Sequence, residues 1–181
     1  MDLVIRGNDE ESSRVEEPPK LSAAEFRAYN RFAEQMDVFH NHFRQTWNEL
    51  YNAASNGKRP QNLTLRQFIV LGLDFCHWLS THHSIEERHF FPLLAKKMPA
   101  FREELELLAQ HKQIHAGLDK FEAYLNQCKS GEEELRLGRM RELMDGFGTV
   151  LWQHLDDEVK ELGAENMRKY WTLEELRAFP M

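Results

Sequence analysis

Cysteine is scarce in this chain, an excess of positive charge is missing, and no apolar run is long enough to cross a bilayer. Cys76 and Cys128 are the only cysteines among 181 residues. They lack Cys-x-x-Cys spacing, which excludes a disulfide framework and fits a reducing compartment. Lys and Arg number 23 against 30 Asp and Glu, a net charge of −7. With no basic stripe interleaved with aromatics, neither nucleic acid nor an anionic lipid surface is an expected partner. A membrane span needs about 20 apolar residues, and nothing here approaches that. The first residues, MDLVIRGNDEESSRVEEPPK, carry a short apolar run followed by acids, so they do not read as a secretory leader. The expectation is a cytoplasmic protein with no membrane partner. Hydrophobic residues make up 41% and charged residues 29%, the balance of a globular domain able to bury its own core. Histidine is abundant: nine residues.

The pattern predicts an all-α chain in which four amphipathic helices joined by short turns form an antiparallel up-down four-helix bundle. Residues 1–20 read as a flexible acidic arm ending in Pro18-Pro19, residues 21–163 as the bundle, and residues 164–181 as a C-terminal extension with a short helix. Ser22 with Glu25 is a capping box that opens the first helix. From there Phe26, Tyr29, Phe32, Met36, His40, Phe43, Trp47 and Leu50 recur at three- and four-residue steps, one buried seam that carries His40 and leaves His42 at the surface or as an outer partner. Asn56-Gly57 turns the chain and Thr64 caps the second helix, whose seam holds Leu79, His82, Glu86 and Leu93. Pro92 should kink this helix or end its regular part. The third helix places Leu105, Leu108, His111, His115 and Leu118 on one face. After a turn at Gly131, the fourth aligns Phe147, Leu151, His154, Glu158 and Leu162. Thr172 with Glu175 caps the terminal helix.

His82 and Glu86 lie four residues apart, so on a helix they stand roughly 6 Å apart on one face. An imidazole and a carboxylate turned into a core are costly to bury unless a partner such as a metal ion takes both. His111 and His115 repeat the step, as do His154 and Glu158. Counted outward from the turn at Pro99, the pairs on the second and third helices fall at similar depth. The candidate metal ligands are therefore His40, His82, Glu86, His111, His115, His154 and Glu158. His83 and Glu87, rotated by about 100°, form a competing pair. Such a mixed nitrogen and oxygen set suits iron, with manganese or zinc as substitutes. Seven ligands exceed what one such ion accepts, so two metals bridged by Glu86 and Glu158 are the natural solution. Glu86-x-x-His89 supplies one instance of the ferritin-like motif, but no second exists, which leaves His89 as an outer or channel residue.

His40-Asn41, His82-His83-x-x-Glu86-Glu87 running into Phe91-Pro92, His111-x-x-x-His115 and His154-x-x-x-Glu158 together resemble the hemerythrin-like, or HHE cation-binding, family over about residues 26–163. The resemblance implies a four-helix bundle around a non-haem di-iron centre bridged by carboxylates and an oxo or hydroxo group, with all seven candidates at ligand places. Oxygen-carrying hemerythrins close the last motif with an Asp five residues after the His; here that position is Val159 and the carboxylate is Glu158. The expected function is binding or sensing of dioxygen, a related small ligand or iron. The alternatives are a di-iron oxidoreductase acting on a small organic substrate or peroxide, and a metal-stabilised interaction module that meets a protein partner through the C-terminal segment around Tyr170 and Trp171.

Overall fold

Helix α1 runs over Ala23–Asn56 and starts where the sequence places it: the Ser22 hydroxyl accepts from the Glu25 amide while the Glu25 carboxylate accepts from the Ser22 amide. It ends at Gly57, whose φ of 64° is a left-handed conformation that glycine adopts without strain. The same reciprocal capping by Thr64 and Gln67 opens α2, Leu65–Ile85. A π-helical turn over Glu86–Phe90 leads into α3, Phe91–Leu94, and a 3-10 turn follows at Pro99–Phe101. Then come α4 (Glu106–Ser130), α5 (Leu137–Glu161), α6 (Ala164–Tyr170) and α7 (Leu173–Arg177). The structure, a computed structural model, describes residues 19–102 and 106–179. The expected acidic arm up to Pro18, and Leu105 of the third-helix seam, lie outside the described residues. Among those described there is no strand, and no helix is long and apolar enough to cross a membrane.

The long helices pack in a ring, with α1 against α2 and α5, and α4 against α2 and α5. Two apolar clusters fill the interior. One gathers Trp47, Leu50, Phe68, Leu79, Ile114, Phe121, Phe147 and Leu151; the other gathers Phe32, Phe91, Leu94, Met98, Phe101, Leu107 and Leu162. The chain passes from one cluster to the other along α1 (Phe32 to Phe43), from α2 into α3 (Leu79 to Phe91), along α4 (Leu107 to Ile114) and from α5 to its cap (Leu151 to Leu162). On each helix the inward His or Glu residues fall between these apolar stretches. The polar layer is therefore closed off above and below by hydrocarbon.

Small residues let the helices approach. A Cβ on Gly117 of α4 would sit 2.4 Å from the Phe147 Cβ of α5, and one on Gly148 would sit 2.7 Å from the Trp47 ring. The second cluster is completed by Met167 of α6, Trp171 directly after it and Leu176 of α7. Arg31 donates to the Leu176 carbonyl, and Lys97 pairs with Glu175 at 2.6 Å while lying over the Trp171 ring. Trp171 is thus buried and not, as the sequence suggested, part of an exposed face. Its indole is worth more as core area than the polar neighbours of the terminal segment reveal.

Candidate metal centre

The π-helical turn shapes the second helix around the site. The Phe91 amide bonds the Glu86 carbonyl five residues back instead of the carbonyl four back. Pro92 has no amide to give, and in a regular helix its ring would press on the carbonyl of Arg88; the widened turn relieves this one turn before the proline itself. Pro92 then sits at the start of α3, where its missing donor costs little. Such π insertions are frequent at functional sites.

Upstream of this turn, His82 and His83 point about 100° apart and Glu86 falls between them, being four residues from one and three from the other. Both imidazoles consequently face the interior. His82 turns toward α1, against His40 and Phe43. His83 is fully buried and turns toward α4, stacking on His111 with centroids 3.8 Å apart. The sequence reading chose between the two pairs; the helix uses both histidines with the same glutamate.

Two groups of donor atoms result, each lying within 4.8 Å: His83, Glu86, His111 and His154 in one, and His40, His82, Glu86 and Glu158 in the other. Glu86 belongs to both. Of the seven sequence candidates, His40, His82, Glu86, His111, His154 and Glu158 come together here. His115 does not join them: half-buried, it places Nε2 3.3 Å from Nδ1 of His83. His89 is exposed in a shallow recess with His77 and Arg88 and meets none of these residues, which corrects its expected outer or channel role. His42 is exposed, as expected.

The hydrogen bonds around the layer decide where the imidazole lone pairs point. Nδ1 of His40 lies 2.9 Å from the Leu155 carbonyl, which only accepts, so Nδ1 carries the proton. Gln110 gives its amide nitrogen to Asp157 at 2.9 Å, which turns its carbonyl oxygen to Nδ1 of His154 at 3.2 Å. Nδ1 of His111 meets the Glu87 carboxylate at 2.8 Å. Burial holds His111 below the usual imidazole range despite Glu87, and pushes His82 down to about 4 and His154 to about 3. His83 is driven well below by burial and then by the imidazoles around it. A neutral ring has one proton, and in His111 and His154 it is spent outward. Their Nε2 atoms, 3.1 Å apart, therefore face one another as bare lone pairs.

The carboxylates tell the same story. Both oxygens of Glu86 and of Glu158, and Nε2 of His40, His82 and His83, are buried without a hydrogen-bond partner. Yet His82 Nε2 is 2.8 Å from Glu86, and His40 Nε2 is 3.3 Å from Glu158. Burial, and then the charges of Glu158 and Glu87, raise Glu86 well above the ordinary carboxyl range. Burial alone would raise Glu158 too, but His40, His154 and His82 outweigh it and hold it low. Imidazole nitrogens and carboxyl oxygens buried together without hydrogen-bond partners are costly unless a cation sits among them. The donor set fits a metal of intermediate hardness such as iron, manganese or zinc.

A family model for the hemerythrin HHE cation-binding domain matches residues 31–165. The chain belongs to this family. Neither the curated proteins nor the solved structures compared with it gave a match. In this hemerythrin-type domain, the outward bonds to Leu155, Gln110 and Glu87 are the anchoring that metal-ligating imidazoles ordinarily have. Sequence reasoning missed Gln110, and it held His83 and Glu87 only as a pair competing with His82 and Glu86. The three-residue step from His83 to Glu86 shows that both histidines can share that glutamate; the contact of Glu87 with His111 and that of Gln110 with His154 appear only when α4 is placed beside α2 and α5. Alongside the layer, a cavity of about 450 Å³ between α1 and α2 reaches inward to His82, Glu86 and Glu158.

Proposed function

We propose that this chain is an antiparallel up-down four-helix bundle holding two iron ions at a carboxylate-bridged centre, and that it binds or senses dioxygen or a related small ligand there. The alternation of apolar clusters along successive helices supports the topology. The observation that carries the centre is the set of unpartnered buried donors converging on two overlapping groups that share Glu86. In this reading His83, His111 and His154 would hold one ion, His40, His82 and Glu158 the other, Glu86 would be shared between them, and His115 would orient His83. A pair of irons supplies reversible electron donation to a bound small molecule. The chain's own residues fix the imidazoles through Leu155, Gln110 and Glu87 and exclude water with the flanking hydrocarbon. The cavity leaves His82, Glu86 and Glu158 approachable from the α1–α2 side.

A second reading, a di-iron oxidoreductase acting on a small organic substrate or peroxide, is favoured by that same cavity. Exposing the reduced, iron-loaded protein to air separates the two. New near-ultraviolet and visible absorption that reverses on removing oxygen, without consumption of a reductant, is expected for the binding protein. Sustained turnover of peroxide or reductant would replace it with the enzyme.

A further inference from the structure

We propose that the cavity between α1 and α2 is a binding site for an uncharged, largely apolar organic molecule whose inner end lies against His82, Glu86 and Glu158. At about 450 Å³ it has the size of a small-molecule pocket and far exceeds what a diatomic ligand needs. Its walls are built from Met36, Phe39, Phe43, Trp78 and Ile85. Phe39, Trp78 and Ile85 are about half exposed, at 50%, 54% and 47%, so apolar surface continues from the interior to the mouth. The charge of the lining selects among occupants. Among the described residues no Lys or Arg lines the cavity, while Glu86 and Glu158 stand at its floor. In the metal-free chain an anionic head group would face two carboxylates with no cationic side chain nearer than the imidazoles of His42 and His82. An organic cation would suit the carboxylates only until they held metal ions, a step that rests on the metal-centre reading. An uncharged molecule suits both conditions, and its burial replaces water against aromatic walls.

Calorimetric titration with 2-naphthylmethanol tests this on the purified 181-residue chain and on the same chain after chelation. Binding is expected in both, and about tenfold weaker in the Phe39→Ala/Ile85→Glu variant. Because both side chains are half exposed, the variant keeps its fold, which circular dichroism verifies; Trp78→Ala is the second variant and is expected to weaken binding likewise. On the chelated chain 2-naphthoate, the same body with a negative head, is expected to bind at least about tenfold more weakly. Absence of binding, affinities untouched by both variants, or equal affinity for 2-naphthoate would overturn the proposal. So would a dimer that the probe dissociates, which would make the mouth a contact with a second copy. Metal content measured on the same samples keeps failure of the cavity distinct from failure of the metal centre.

Discussion

His83 and His115 divide one task between them. Nδ1 of His83 meets Nε2 of His115 at 3.3 Å, leaving the buried Nε2 of His83 unpartnered on the inner side. Only His83 falls within 4.8 Å of Glu86, His111 and His154 as a donor. Replacing His83 with Ala is therefore expected to cost one bound iron per chain, whereas His115→Ala keeps both and weakens binding by about 10–100-fold. Anaerobic iron titration read by optical absorption checks this; the reverse ranking would place His115 as the inner residue and His83 outside it. Gln110 works through another residue in the same manner. Its carbonyl oxygen fixes His154 only because Asp157 holds its amide nitrogen.

At the scale of elements, the long helices are held close by what their sequences omit. Gly117 has no room for a side chain because the nearest atom is the Cβ of Phe147, which cannot swing aside as a side-chain tip would. Gly117→Ala should therefore force α4 and α5 apart and destabilise the fold by about 1–3 kcal/mol, in spite of the better helix propensity of Ala. Denaturant titration of the metal-free chain would measure it, and unchanged stability would mean the interface slides freely. The helices and their caps at Ser22, Thr64 and Thr172 were legible in the sequence because a cap and a 3.6-residue period are local features. The π-helical turn was not. Pro92 announced an irregularity, but its location a turn earlier depends on the carbonyl the ring must avoid and on the demand that Glu86 face both histidines. The helix-by-helix seam also located six of the seven candidates in the polar layer. It set His83 against His82 as a competitor because a narrow stripe was assumed where α2 faces α1 with one side and α4 with another. The burial of Trp171 was equally hidden, since it depends on how α6 and α7 fold back over the end of α1.

For the whole molecule, a charged layer between two apolar clusters makes stability depend on protons and on metal. His82 and His154 have folded values of about 4 and about 3 against an ordinary 6.5, and burial also lowers His83 and His111. Below pH 6.5 the unfolded chain takes up these protons before the folded one does. Stability of the metal-free chain should thus decline as pH falls from about 6.5 toward about 4, by more than about 1 kcal/mol. Glu158, held low, acts in the same direction at the acid end; Glu86, held high, opposes it, but one carboxyl stands against four imidazoles. Denaturation midpoints measured between pH 7.5 and 5 should fall with acid, and a constant or rising midpoint would mean these rings are not buried neutral. Metal steepens the dependence, because protons and cations compete for the same lone pairs.

The most direct test of the account is the number of irons the intact chain takes up when titrated with ferrous iron without oxygen, counted by metal analysis after removal of excess. Two overlapping donor groups sharing Glu86 predict about two per chain, with near-ultraviolet absorption appearing after air is admitted. A chain that stays folded and retains no iron would contradict the account at its centre.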